Sequence, residues 1–397
     1  MPKITRVRPV LLTAPYTDPK RSVEGLLCLP TGYRTTGLVE ITLDNGVVGL
    51  GEGYLAVFAP KVFREIVEIV APVMIGKDPR DFEKLMGELL LTTGYWSLQG
   101  AAQHVISACE TALQDCRARL ENVPVWKLLG GEARSMKLYA SGGDAIDQDG
   151  MRDEMNQIQA MGIDVFKMRA RRGQEDKAAF CQREGKPRGI DIAVDMTQNL
   201  AVPSQTIEDI EIFLEELNNR GGQMPVFLEE VLGPQELHGF TELKRRLPEA
   251  RIAGGEIVTT APELCARIAQ GYYDIAQPDA TVIGGLSATL EVFAAGRKHD
   301  TEVYVHCWGG PVGMMANFHV AQAGGGMLVE WPTLPYELRN TLVPGPWQIE
   351  AGYLTLTDAP GLGIELTEEI EKAYPFREEA TYNCRVDFSK LPQVSWM

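Results

Sequence analysis

Apolar and polar side chains alternate with period two through Gly37–Asp44 (GLVEITLD) and Val47–Leu55 (VVGLGEGYL), on either side of Asn45-Gly46. Period-two alternation puts one face of a strand in a core, and Asn-Gly is the favoured turn of a tight hairpin. Residues 1–55 are therefore read as strands, interrupted by a Gly/Pro-punctuated polar stretch, Tyr16–Arg34, read as a mobile loop. Between residues 60 and 121 the period becomes helical, in PKVFREIVEIVAPVMIG, DPRDFEKLMGELL and AAQHVISACETALQDCRARL. The last of these carries apolar or small residues on one face and is expected to pack against a core. Strands followed by helices make an α+β unit, which we place at residues 1–124.

From Val125 the texture changes. Short apolar runs (KLYASGG, DVFKMRA, IDIAVDM, PVFLEEV, RIAGGEI, YDIAQPD, EVYVHCW, MLVEWP) alternate with helical stretches such as TIEDIEIFLEELNN, APELCARIAQG and LSATLEVFAAGRKHD. This βα repetition over residues 125–344 predicts a parallel sheet, open or closed into a barrel. Residues 345–397 return to turns and short strands (GYLTLTDAPGLGIEL) and end in a polar extension.

Length and charge narrow the picture. A chain of 397 residues suits two domains or a barrel plus a cap. Lys and Arg number 38 against 54 Asp and Glu, a net charge of -16, which repels nucleic acid and anionic membrane surfaces. An anionic substrate would need a local cation to overcome that field. The seven scattered cysteines contain no C-x-x-C pair and read as reduced thiols, which with a strand-like N-terminus points to a cytoplasmic protein. No apolar run approaches the ~20 residues needed to cross a bilayer. GLGEG, at residues 49–53, follows a hairpin and is read as turn chemistry, not a nucleotide loop; no P-loop, HExxH or GxSxG occurs.

The apolar runs end in ionisable residues: Lys167 and Arg169, then Asp195, Glu229, Glu256, Asp279, His306 and Glu330. The steps from Lys167 are 28, 34, 27, 23, 27 and 24 residues, each about one βα unit. In a closed barrel the strand ends meet at one mouth, so these side chains would share a pocket. Asp195, Glu229 and Glu256 would repel one another unless a hard divalent cation such as Mg²⁺ joined them. Singly, each reads better as a helix-capping carboxylate; their succession is what favours a metal site. Asp279, one strand before His306, could accept one ring N–H and leave the other nitrogen as general acid or base. Lys167 and Arg169, two apart on one strand, face the same side. Cys307 should point away from His306 into packing.

These segments resemble the enolase superfamily, in its mandelate racemase branch. FKMRA is similar to the family's K-x-K strand, and AVDM, FLEEV and GGEI to its three metal-ligand strands. PDATVIGG with VYVHCW resembles its His-Asp dyad, and LVEWP the strand whose Glu330 would hydrogen-bond a substrate carboxylate. The resemblance implies a modified (β/α)7β TIM-like barrel with an α+β cap, and a C-terminal segment returning to the cap. It also implies Mg²⁺, a small-molecule carboxylate substrate and a homo-oligomer. Arg169 stands where the family's racemases carry a basic Lys, which favours one-base chemistry through His306. DMTQNL departs from the commoner D-x-N, so Thr197 and Asn199 should give the pocket its own character.

The expected activity is removal of a carboxylate's α-proton, with loss of water from a sugar acid. Racemisation or epimerisation, or dehydration of an amino acid such as a hydroxyproline, is the alternative, with Lys167 as the opposite-face base. A non-catalytic binding protein on the same fold is the third reading, and Mg²⁺ calorimetry separates it from the others. The loops Tyr16–Arg34 and Tyr54–Phe58 are expected to close over the mouth, offering Arg21, Tyr33, Arg34 and Tyr54 to the substrate.

Overall fold

A computed structural model describes residues 1–342, 345, 347–383 and 395–396. Three antiparallel strands, β1 (Ile4–Pro15), β2 (Tyr33–Leu43) and β3 (Val48–Glu52), form the first sheet, with β2 in the middle and the Asn45-Gly46 turn joining β2 to β3. Three helices, Pro60–Met74, Phe82–Ser97 and Ala101–Leu120, bury Phe63, Val67, Leu85, Leu89, Ile106 and Leu113 against it. The glycines of GLGEG serve close approach: a Cβ on Gly51 would stand 1.9 Å from the Ala108 carbonyl oxygen. The helix therefore lies directly on β3.

Tyr16–Arg34 is not an open loop. Pairing of β1 with β2 continues to Ala14↔Arg34 and Pro15↔Tyr33, and Val23–Leu27 forms a short helix capped by Ser22. An isolated bridge joins Ser22 to Ala145.

The second sheet holds eight parallel strands: β4 (Ser135–Gly142), β5 (Val165–Arg169), β6 (Asp191–Asp195), β7 (Leu228–Glu229), β8 (Ile252–Gly254), β9 (Ile275–Ala276), β10 (Glu302–Val303) and β11 (Leu328–Pro332). Neighbours pair in chain order from β4 to β10, and β11 returns to pair with β4. A helix separates each strand from the next, which is the (β/α)7β order. No ladder joins β10 to β11 among the described residues. The sheet nevertheless curls on itself: Tyr139, Ala193, Phe227, Ala253, Ile275 and Tyr304, drawn from around the strand order, form one buried cluster. Tyr139 of β4 lies 6.2 Å from Tyr304, just past β10. Such a side-chain layer fills the interior of a barrel and gives a pocket its floor.

The crossover helices follow local rules. Thr206 and Asp209 form a capping box at the start of Ile207–Asn219, and Pro opens both Ala261–Ala269 and Pro311–Gly324. After β11 the hairpin β12 (Trp347–Glu350) and β13 (Tyr353–Leu356) adds antiparallel to β4, so the C-terminal segment joins this sheet first. Only then does it reach the first sheet, where Pro375 bridges Leu12 and Ala380 accepts a hydrogen bond from Thr35. The six described cysteines are free; Cys384 lies outside the described residues. No described helix is long and apolar enough to cross a membrane.

Candidate active site

Parallel register brings the expected residues together at one mouth. Ser141 pairs with Lys167, Arg169 with Asp195, and Asp195 with Glu229, so side chains from β5, β6 and β7 stand side by side. Alternation along β5 sends Phe166 and Met168 into the core and turns Lys167 and Arg169 to the other face. Lys167, Arg169, Asp195, Glu229, Glu256, His306 and Glu330 all line one cavity of about 210 Å³. Lys167 and Glu330 are the third residues of their strands, not the last, and so lie deeper than the rest. Glu256, Asp279 and His306 follow the ends of β8, β9 and β10.

His306 is held from behind. Its Nδ1 lies 2.9 Å from Asp279 Oδ2, and Asp279 also accepts from Asn317 Nδ2 at 2.9 Å and from the Thr281 amide at 2.8 Å. Asp279 is 1 % exposed and faces no solvent. A buried carboxylate on Nδ1 fixes the ring tautomer and leaves Nε2 toward the cavity. There Nε2 lies 3.4 Å from Glu256 Oε2. Burial alone would lower the His306 pKa, but Glu256, Glu330 and Asp279 together raise it to about 10. The Tyr54 ring packs edge-on to His306, with centroids 6.3 Å apart.

The cations of the site are engaged. Lys167 Nζ pairs with Glu229 and lies 2.7 Å from Glu330 Oε1. Burial opposes its charge, yet Glu229 and Glu330 outweigh burial and raise its pKa. Arg169 donates through Nη1 to both Asp144 oxygens at 2.7 Å, stands 3.5 Å from Asp195 and stacks on Trp308 at 4.6 Å. Glu330 accepts the Cys307 amide at 2.6 Å, while Cys307 itself packs in the core. Burial would raise the Glu330 pKa, but Lys167 and His306 hold it near about 2. An ionised Glu330 only accepts hydrogen bonds. As placed, it orients Lys167.

The three candidate metal carboxylates share the cavity but not a common point. Asp195 accepts the Thr197 amide at 2.7 Å, Glu229 faces Lys167 and Gln277, and Glu256 accepts from Asn199 at 2.6 Å. Among the described residues no three Asp, Glu, His or Cys side chains stand close enough to enclose an ion. Asp195 and Glu229 each face a positive partner, Arg169 and Lys167, and Glu256 faces an amide donor. Thr197 holds φ 52°, a costly conformation for a β-branched residue, beside its hydrogen bond to Asp195.

Of the residues expected to meet substrate from the loops, Tyr54 lines the cavity and the others do not. Arg21 points into solvent, 85 % exposed, 3.9 Å from Asp18. Tyr33 lies under Arg377 at 4.3 Å. Arg34 is fully buried in β2 between the Tyr16 and Tyr54 rings, 4.8 and 5.3 Å from their centroids, and is screened from the cavity by Tyr54.

Comparison with known proteins places this arrangement. Residues 31–130 match the mandelate racemase / muconate lactonizing enzyme N-terminal domain, and residues 150–370 the enolase C-terminal domain-like family. The chain belongs to the mandelate racemase / muconate lactonizing enzyme family. Among its relatives, arabinonate dehydratase of Saccharolobus solfataricus is 26 % identical over 341 residues, covering 84 % of this chain and 89 % of that protein. The crystal structure of the 3,6-anhydro-D-galactonate cycloisomerase from Zobellia galactanivorans superposes with a TM-score of 0.81 at 22 % identity, covering 94 % of this chain and 99 % of that one. That of L-talarate/galactarate dehydratase from Salmonella typhimurium LT2, liganded with Mg and L-lyxarohydroxamate, gives a TM-score of 0.80 at 23 % identity and covers 94 % and 93 %.

The donor set of this family member suits a hard divalent ion. Burial, with Asp195, Glu330 and Glu256 nearby, raises the Glu229 pKa to about 8 despite Lys167. A carboxylate so poorly compensated, with two more oxygen donors in the same cavity, is what Mg²⁺ relieves.

Several cavity residues were not among those the sequence placed at the site. His104, from the helix Ala101–Leu120, lines the cavity; its Nδ1 has no hydrogen-bond partner, and burial lowers its pKa to about 4. Tyr382, in the C-terminal segment, also lines it and packs on Phe58 at 5.3 Å. A readable signal existed for the helix. Gln103, Ser107, Glu110 and Gln114 form a buried polar stripe at helical spacing. Ser107 accepts from the Gly284 amide, and Glu110 from the Leu286 and Ser287 amides at the start of Leu286–His299.

Proposed function

We propose that the protein dehydrates a sugar acid, using His306 to move the proton. The observation that carries this reading is the His306–Asp279 pair, 2.9 Å apart, with Nε2 turned toward a cavity lined by four carboxylates, a lysine and an arginine. Asp195, Glu229 and Glu256 would hold Mg²⁺. Bound there, Mg²⁺ would supply Lewis-acid charge beside the substrate carboxylate and make its α-proton easier to remove.

The chain's own groups account for the rest. The charges that raise the His306 pKa include Glu256, which bound Mg²⁺ would in part offset; the neutral ring then takes the α-proton on Nε2 while Asp279 stabilises the imidazolium through Nδ1–H. The proton then passes to the β-hydroxyl, the C–O bond breaks, and water leaves. The enol that remains tautomerises to a 2-keto-3-deoxy acid. Lys167, fixed by Glu229 and Glu330, supplies positive charge where the substrate carboxylate becomes more negative. Arg169 balances Asp144 and Asp195. With both cations held in ion pairs, neither is free to act as an opposite-face base, which disfavours two-base racemisation.

The test is turnover of an acid-sugar panel with Mg²⁺, followed as 2-keto acid formed. His306→Asn should lower kcat by about 10²–10⁴-fold while still binding substrate. Full turnover by that variant refutes the assignment. In heavy water, α-deuterium in both stereoisomers of recovered substrate without loss of water would replace dehydration by epimerisation.

A further inference from the structure

Four polar side chains of the helix Ala101–Leu120 hold it in place. Ser107 accepts from the Gly284 amide at 2.8 Å and Glu110 from the Leu286 amide at 2.8 Å, while Gln114 donates to Glu110 at 3.2 Å and Gln103 to the Leu98 carbonyl at 2.9 Å. His104, three residues before Ser107 and so on the same face, has no such task. Its Nδ1 is buried without a hydrogen-bond partner, and its Nε2 makes no hydrogen bond among the described residues. The ring lines the cavity that holds His306. A buried polar atom left unpaired is costly, and the occupant of the cavity is placed to supply the missing partner. We propose that His104 binds a hydroxyl of the sugar-acid chain beyond the one that leaves, at C4 or C5, and so selects the substrate's configuration there. This rests on the reading of the cavity as a site of acid-sugar dehydration.

The chemistry of the ring suits a hydroxyl. Burial outweighs the charge of Asp279 and holds the His104 pKa down at about 4, so the ring is neutral at neutral pH. A neutral imidazole carries one N–H and one bare nitrogen, which match a group that both donates and accepts. Position selects which hydroxyl. Lys167 and Glu330 lie deepest in the cavity, where the carboxylate end is bound, and His306 stands nearer the mouth. Tyr54 packs on His306 with ring centroids 6.3 Å apart, and the chain just before it lies against the helix: a Cβ on Gly53 would stand 2.6 Å from the His104 carbonyl oxygen. His104 is therefore on the side of the first sheet and its helices, across Tyr54 from His306. A chain that starts at Lys167 and passes His306 reaches it only after C3. Because its helix is anchored through Ser107 and Glu110, the ring is held in advance and not carried on a loop.

Five- and six-carbon sugar acids, assayed with Mg²⁺ and the full chain, first give the acid turned over best; its 4-deoxy and 5-deoxy forms then test the assignment. With the native protein, one of the two deoxy acids is expected to lose at least about tenfold in kcat/KM. His104→Phe should lose about as much on the parent acid and no more on that deoxy acid, a coupling that a merely structural histidine would not produce. His104→Gln, which keeps a donor and an acceptor, should regain part of the loss. Thermal unfolding confirms that both variants fold. Undiminished kcat/KM of the native protein on both deoxy acids overturns the proposal. So does an equal loss by His104→Phe on the parent and on both deoxy acids, or failure of every sugar acid to bind. If sugar acids bind but none yields a 2-keto product, the dehydration reading fails on its own, and the same cycle measured calorimetrically as Kd still decides what His104 binds.

Discussion

Replacing Glu52 by Gln probes how the first sheet is seated on the barrel helices. Glu52 ends β3, is 2 % exposed, and accepts the amides of Gly310 and Gly313, the latter at 2.8 Å, at the start of Pro311–Gly324. Burial raises its pKa from 4.5 to about 7, against the pull of those two amides and of Arg34. At about 1.36 kcal/mol per pH unit, that gap corresponds to about 3 kcal/mol. A folded pKa above the unfolded one means that the native state binds the proton more tightly. The contribution is therefore complete below the unfolded value of 4.5 and is lost as pH rises through about 7. Gln does not titrate. The unfolding free energy of the native protein minus that of Glu52→Gln should therefore fall by about 3 kcal/mol between about pH 4 and about pH 9. The amide NH₂ of Gln, facing backbone donors, costs about 1–2 kcal/mol at every pH and so shifts the offset without changing the slope. Urea unfolding of both proteins across this range, followed by tryptophan fluorescence and circular dichroism, measures the difference. A difference constant within about 0.5 kcal/mol would refute the burial argument.

Three other expectations follow from the geometry. Asp279→Asn removes the carboxylate that fixes the His306 tautomer, so kcat should fall about 10²-fold with KM little changed, as steady-state kinetics will report. Gly285→Ala puts a Cβ 2.3 Å from Glu110 Oε2 at φ 98°, whereas Gly271→Ala, at φ 69°, meets nothing within 4 Å. Thermal unfolding should show the first costing clearly more than the ~1–2 kcal/mol expected of backbone strain alone in the second. Chelation should abolish turnover and Mg²⁺ restore it, with far-UV circular dichroism unchanged, because the buried core clusters are built from the chain's own side chains.

Period and spacing carried much of this architecture. The Asn45-Gly46 hairpin, the three long helices and the βα alternation each follow from local chemistry that the tertiary structure reinforces. The steps between Lys167 and Glu330 anticipated which side chains would share a cavity, except that Asp279 sits behind His306 and does not line it, because parallel strands joined by similar crossovers end at one level. Side-chain direction was less legible. Asp195, Glu229 and Glu256 stand on the expected elements yet turn to Arg169, Lys167 and Asn199, a choice that depends on local charge. Arg34 looked like a loop cation because Gly and Pro surround it; strand pairing and two aromatic faces bury it instead. Glu24 and Tyr382, more than three hundred residues apart in sequence, meet only through tertiary packing, which no local pattern encodes.

Glu52 and Glu110 each close the open amide end of a helix that belongs to the other half of the molecule. A chimera made by transplanting a relative's N-terminal portion onto residues 125–342 would have to bring equivalent acceptors at both places. Without them, two sets of bare amides would be sealed beneath the graft, and compatible sequences would fail to dock however well each half folded alone.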